Sequence, residues 1–167
     1  MDRNLIMMAK QVQSAYSSPI VAAKINGEVR DIQTVYEDTD QIDFIELDSP
    51  LGWIIYRRSV LFLLIAAVNK LEKNSDVIAK FTVNKGLYCE IKIPNRTIDL
   101  QFIKEIDHQM RAMIAANLPI VKRSIPRQDA IDIFQTLGRT GKVNLISALT
   151  KPIISVYNCE DYTDYLY

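Results

Sequence analysis

The residues able to do chemistry are few. The chain of 167 residues holds one His and two Cys, whereas a structural zinc site draws on four nitrogen, sulfur or oxygen ligands in close array. Cys89 and Cys159 lie far apart, in Leu87-Tyr88-Cys89-Glu90-Ile91 and Val156-Tyr157-Asn158-Cys159. Both runs are strand-like, and a small buried thiol is their ordinary occupant. His108, in Asp107-His108-Gln109, falls off the apolar stripe of its helix and reads as a solvated surface residue rather than a base. This set of residues predicts no metal site. A disulfide stays open, with nothing pointing to an oxidising compartment.

Gly138-Arg139-Thr140-Gly141-Lys142-Val143 is the one segment that invites phosphate chemistry, because glycine amides and a lysine can cradle an anion. A nucleotide-binding loop of that type has four residues between its glycines and Ser or Thr after the lysine. Here two residues intervene and Val143 follows, so a turn between helices is the expected reading. Ser59 follows Arg57-Arg58, but one histidine and no nucleophile-elbow glycines leave a serine triad without its parts. Arg57 and Arg58 could read phosphate or carboxylate, or form the charged first turn of an apolar helix with their stems on apolar surface. Lys122, Arg123 and Arg127 make a modest basic cluster with no interleaved aromatics, weak support for RNA binding.

Composition bounds the rest. At 49% hydrophobic and 24% charged, the chain is too apolar for disorder and long enough for one ordinary domain or two small ones. Twenty basic residues balance twenty acidic ones, so there is no broad electrostatic attraction to nucleic acid or anionic lipid. Leu5 to Ala9 is too short for a signal-peptide core, and the longest apolar run, Val60 to Val68, is far short of a bilayer span. A cytoplasmic protein with no membrane partner is expected.

The elements that would position these groups follow from periodicity and turn signals. A helix is predicted over 3–15, stopped by Pro19. Ile20 to Ile25 and Glu28 to Ile32 form a hairpin about Asn26-Gly27, the pair best able to take positive φ at both turn positions. Ile42 to Leu47 supplies a third strand, and Ser49-Pro50-Leu51-Gly52 reads as a break and a domain boundary. Tyr56 to Lys73 is a helix with almost no polar face along its middle, one that should be covered on several sides. Asp76 to Val83 and Gly86 to Ile93 pair as strands. A helix capped by Thr97 runs to about Asn117 on the stripe Ile103, Ile106, Met110, Met113 and Ile114. Ile120 to Ile125 is a strand, Pro126 opens a helix ending near Gly138, and Val143 to Leu149 makes a short helix. Ile153 to Tyr157 and Tyr162 to Leu166 are the last strands. Strands and helices mix without strict alternation, so the fold class is α+β. Four tyrosines, Tyr157, Tyr162, Tyr165 and Tyr167, crowd the closing run, where a polar tail is more usual. The chain reads as cut there.

Several segments together resemble a known arrangement. Ile25-Asn26-Gly27-Glu28-Val29-Arg30-Asp31 resembles the later part of a TGS domain, the β-grasp module at the front of threonyl-tRNA synthetases. Arg58-Ser59-Val60-Leu61-Phe62-Leu63-Leu64 resembles the first helix of the synthetase's second additional domain, where editing enzymes carry His-x-x-x-His. Lys85 to Glu90, Gly138 to Lys142 and Tyr157 to Leu166 continue that domain in order. The implied organisation is a partial TGS-like β-grasp region over 1–50, then an editing-domain-like region over 51–167 with an antiparallel sheet. The TGS part would lack its opening hairpin. Tyr56-Arg57-Arg58-Ser59, Lys85 to Ile91 and Asn117-Leu118-Pro119-Ile120 are closer still to the N-terminal half of bacterial uridine kinase-like proteins of the phosphoribulokinase/uridine kinase family. In these a TGS and synthetase-like region precedes a kinase domain.

The kinase resemblance implies a non-catalytic regulatory or recognition region. Its partner would be a C-terminal kinase domain on the same polypeptide, with ATP and Mg²⁺ belonging to that absent domain and no cofactor here. The synthetase resemblance puts the two zinc-binding histidines on Arg58 and Phe62 and the later cysteine ligand on Leu166, a set that cannot hold zinc. It matches the cleft at Lys142 and Asp164, with Tyr88 on a neighbouring strand. The implied site therefore has no catalytic residue. Arg58, Phe62, Tyr88, Lys142, Asp164 and Leu166 would line a pocket for a small anionic or amino-acid-like ligand, or the charged groups would pair as a buried ionic cluster. The alternative function is an aminoacyl-tRNA deacylase, with tRNA as partner and water oriented by Lys142 and Asp164. A third reading is an interaction module that dimerises its parent.

Overall fold

The structure, a computed structural model, describes residues 3–84, 86–94 and 96–165. It divides into two compact units, Met1–Val60 and Leu61–Tyr167. The division falls inside one long helix, where the sequence reading puts a boundary at residue 50.

In the first unit, helix α1 (Leu5–Val12) opens on Asn4, whose side chain accepts the Ile6 N–H at 2.9 Å. A 3₁₀ turn, Gln13–Ala15, ends it. Strands β1 (Ile20–Ile25), β2 (Glu28–Arg30) and β3 (Ile42–Glu46) form an antiparallel sheet in the order β2-β1-β3. Asn26 and Gly27 take φ of 52° and 85°, which closes the β1–β2 turn as expected; β2 stops at Arg30, short of Ile32. Leu5, Ala9, Ala22, Ala23 and Ile45 are buried here.

Helix α2 (Pro50–Leu71) corrects the expected break. The Ser49 hydroxyl donates to the Glu46 carbonyl at 2.6 Å and accepts the Gly52 N–H at 3.0 Å. Ser49 is thus the cap, and Pro50, with no N–H to leave unpaired, suits the first turn. Arg57 and Arg58 consequently lie within the helix and not in its first turn. From Leu61 to Asn69 α2 is covered on several sides, as expected: no residue there is exposed, and Phe62, Ala66, Ala67 and Val68 are buried. In its N-terminal half Trp53, Ile54, Tyr56 and Val60 are exposed. It is long and apolar enough to cross a membrane by length and composition. The two adjacent arginines oppose this, since a charge near a bilayer centre costs about 2.5–3.5 kcal/mol.

The second unit contains the hairpin β4 (Asp76–Val83) and β5 (Gly86–Lys92), helix α3 (Leu100–Ala115), strand β6 (Val121–Pro126), helices α4 (Arg127–Thr136) and α5 (Thr140–Ser147), and strands β7 (Ile153–Cys159) and β8 (Tyr162–Asp164). β6, β7 and β8 form an antiparallel sheet in that order. The cap of α3 is Asp99, which accepts the Phe102 N–H at 2.8 Å, and not Thr97. Its buried stripe is Phe102, Ile106 and Met113, while Ile103 and Ile114 are exposed. Ile106 and Met113 are buried as expected and Met110 packs beside them, while Phe102 takes the place of Ile103 at the helix start. Thr140-Gly141-Lys142, expected in a turn, opens α5, and only Gly138 (φ 68°) and Arg139 make the corner.

Three clusters form this unit's core. Phe62, Ala66, Ala67, Met113, Cys159 and Tyr162 make one. Ala130, Phe134, Ile146, Ile154 and Val156 make the second. Val68, Phe102 and Ile106, with Val77 and Ile91 of the hairpin against them, make the third. The architecture is α+β with antiparallel sheets, as expected.

Candidate functional site

Strand β8 alternates so that Tyr162 and Asp164 share its buried face, with Thr163 between them. The Gly138 corner starts α5 so that Arg139 and Lys142, three residues apart on neighbouring turns, both reach that face. Lys142 Nζ donates to Asp164 Oδ1 at 2.9 Å and to the Tyr165 carbonyl at 2.8 Å. The Tyr165 N–H gives Asp164 Oδ1 a second bond at 2.7 Å, and the Tyr162 hydroxyl donates to Oδ2 at 3.0 Å. Arg139 donates to the Tyr162 hydroxyl at 3.1 Å and to the Thr163 carbonyl at 3.0 Å. Its guanidinium lies over the Tyr162 ring at 4.6 Å and 4.0 Å from the Asp164 carboxylate.

Asp164 is only 2% exposed and both its oxygens are engaged. Burial, and then the neighbouring carboxylate charge, push the Tyr162 phenol up from its ordinary range. In this arrangement both oxygens of Asp164 are taken up by donors of the fold and face away from solvent, which weighs against a general-base role. The arrangement can fix the α4–α5 corner to β8 and hold positive charge beside it.

Of the residues singled out in the sequence, Lys142 and Asp164 are brought together. Phe62 joins them through Tyr162, ring to ring at 5.6 Å, and packs on Tyr157 at 6.3 Å. Tyr88 lies on the hairpin, stacked on Phe81. Arg58 belongs to the first unit and is exposed on α2. Leu166 lies outside the described residues. The zinc implied by an editing domain does not fit: position 62 holds a phenyl ring 1% exposed in an aromatic cluster, where a metal needs a nitrogen or sulfur donor. Burial raises both thiols, Cys89 and Cys159, above the usual range, away from the reactive thiolate.

Arg139 and Tyr162 carry as much of the cluster as the two residues expected there. Arg139 lies in a segment whose expected reading is a turn between helices, and Tyr162 among the closing tyrosines. The basic cluster at β6 is partly used up in the fold: Arg123 donates to Asn158 at 3.0 Å, and Arg127 donates to the Leu149 carbonyl.

Two units, one a three-stranded sheet with a short helix and the other an α+β unit closed by an ionic cluster, define the class to which comparison can be made. No family model matches the chain. It is similar to the threonine–tRNA ligase of Syntrophotalea carbinolica, 29% identical over 158 residues that make up 94% of this chain and 25% of that protein. The ligase of Acidithiobacillus ferrooxidans is 26% identical over 160 residues, 95% of this chain and 25% of that protein. That of Clostridioides difficile is 25% identical over 158 residues, again 94% and 25%. The chain thus spans about a quarter of the length of the curated relatives it matches, and the match is to their N-terminal region. The α+β architecture with antiparallel sheets is consistent with an editing-like α+β domain in the N-terminal region of those ligases. A uridine kinase parent finds no support among these relatives.

Proposed function

We propose that this chain is a tRNA-directed recognition module of the kind found at the front of threonyl-tRNA synthetases, one that holds tRNA without hydrolysing an ester on it. The observation that carries this reading is the similarity to threonine–tRNA ligases along 94% of the chain. The saturation of Asp164 favours recognition over the deacylase alternative. The expected nucleoside-kinase attachment rests on the segments around Tyr56, Lys85 and Asn117, and the relatives lend it no support; ATP and Mg²⁺ go with that expectation alone. A cytoplasmic setting and tRNA as partner go with the synthetase reading. A small anionic ligand would have to displace Lys142 from Asp164.

The test is a titration of the full chain with tRNA by fluorescence anisotropy, alongside an incubation with mischarged aminoacyl-tRNA. The expected outcome is saturable tRNA binding with the ester intact at the rate of buffer alone. Absence of tRNA binding overturns the reading. Accelerated loss of the amino acid that disappears in Lys142→Met would restore the deacylase.

A further inference from the structure

The hairpin β4–β5 carries an aromatic pair that the core does not use. Val77 and Ile91 turn one face of this ribbon into the cluster of Val68, Phe102 and Ile106. Strict alternation from Val77 through Ala79 would send Phe81 to that same inner face. It does not go there, because the register shifts between Ala79 and Phe81 and leaves Lys80 as an extra residue. The bulge places Phe81 directly opposite Tyr88, which lies on the outer face, three residues from inward-facing Ile91. The rings stack with centroids 4.9 Å apart and planes 17° from parallel. Phe81 is 57% and Tyr88 47% exposed, so stacking uses one face of each ring and leaves much of both to solvent.

The core does not reach this end of the ribbon, where Ala79 and Thr82 are exposed too, so the effect of the bulge is to set the two rings side by side on one face. Asp76 and Glu90 bracket the two lysines of this segment, Lys80 and Lys85, and Lys80 is paired with Glu90 at 3.2 Å, so the rings and not a basic field are what the ribbon offers a partner. An exposed aromatic stack on a ribbon fits the flat face of a base. A duplex hides its base faces inside the helix and could not use the stack.

We propose that Phe81 and Tyr88 form a stacking platform for unpaired nucleotides of RNA. This deepens the tRNA-directed reading and rests on it for the kind of nucleic acid. Bases extend the existing pair of rings. Phe81 and Tyr88 act as binding residues, with no part in any bond-making step.

The experiment titrates the full chain with a fluorescein-labelled single-stranded RNA oligonucleotide, with the same strand annealed to its complement, and with tRNA. Phe81→Ala and Tyr88→Ala are each expected to weaken single-strand and tRNA binding about tenfold, and Tyr88→Phe to keep it. The annealed strand should not compete. Without any substitution, the ring protons of Phe81 and Tyr88 should shift upfield in NMR spectra as the oligonucleotide is added. Alanine variants that bind like the parent, or a duplex that competes equally, overturn the platform. If tRNA still binds unchanged to Tyr88→Ala, the platform falls and the tRNA-directed reading stands. If the parent chain binds the oligonucleotide but no tRNA, the platform stands and that reading falls. Loss of self-association in sedimentation, with RNA binding untouched, would assign the face to a protein contact and overturn the proposal.

Discussion

Among the described residues Asp164 is the buried charged side chain, and its surroundings decide what a substitution there does. Asp164→Ala leaves Lys142, Arg139 and the Tyr162 hydroxyl facing an apolar gap, so a loss of about 3–5 kcal/mol is expected from urea denaturation. Buried ion pairs cost desolvation as well as gaining attraction. The double variant Asp164→Leu with Lys142→Met should therefore recover much of that loss, and a double variant no better than Asp164→Ala would contradict the pairing. Tyr162 sets a second expectation. Its phenol is raised by burial and by the adjacent carboxylate, so its contribution to stability is fully present below the ordinary phenol value of about 10. That contribution fades as pH rises through the higher folded value, because the unfolded chain releases the proton first. Melting temperature should fall on the alkaline side, with phenolate absorbance from Tyr162 emerging only as the chain unfolds. Tyr162→Phe should flatten that alkaline slope.

At the scale of elements, two glycines separate close approach from free space. A Cβ on Gly52 would stand 1.9 Å from the Glu46 carbonyl oxygen, which is backbone and cannot swing aside. Gly52→Ala should cost about 2–3 kcal/mol by forcing the first turn of α2 away from the end of β3. Gly141, inside α5, has nothing within 4 Å of its would-be Cβ. Gly141→Ala should stabilise by roughly 0.5–1 kcal/mol through helix propensity, and paired thermal melts of the two variants should move in opposite directions. The same places mark where reading elements from sequence worked and where it did not. Asn26-Gly27 announced its hairpin because only a few residue types accept positive φ there. Ser49-Pro50-Leu51-Gly52 misled because proline and glycine are loop signals by composition, whereas a capping serine followed by proline is a helix start. On α3 the period places Ile106, Met110 and Met113 on the buried face, and Ile103 and Ile114 fall off it, since period alone does not say that Phe102 is the anchor. The bulge at Lys80 left no trace in the alternation of β4, being fixed by pairing with β5.

For the whole molecule, the candidate site was half legible. Lys142 and Asp164 came from the resemblance to the editing domain of threonyl-tRNA synthetases. Arg139 and Tyr162 lie in different elements and meet only when β8 packs against the α4–α5 corner, a non-local contact that no window of sequence displays. What composition did state is that basic and acidic residues balance, twenty of each, and this constrains how any polynucleotide is held. A protein that binds through a broad basic surface neutralises many phosphates, and its affinity falls steeply with salt, by about 0.7 in log K per phosphate for each tenfold rise when the strand is single. Here the basic residues are dispersed and several are bound within the fold, Lys80 to Glu90 at 3.2 Å and Lys70 to Glu160 at 2.7 Å among them. Two or three phosphate contacts beside a stacking platform would yield a slope of about −2. Anisotropy titrations of tRNA in a series of KCl concentrations measure it directly. A slope of that size, reduced little by Tyr88→Ala while affinity drops, would separate stacking from charge; a slope several times steeper would require a basic face that this balance of charges does not supply.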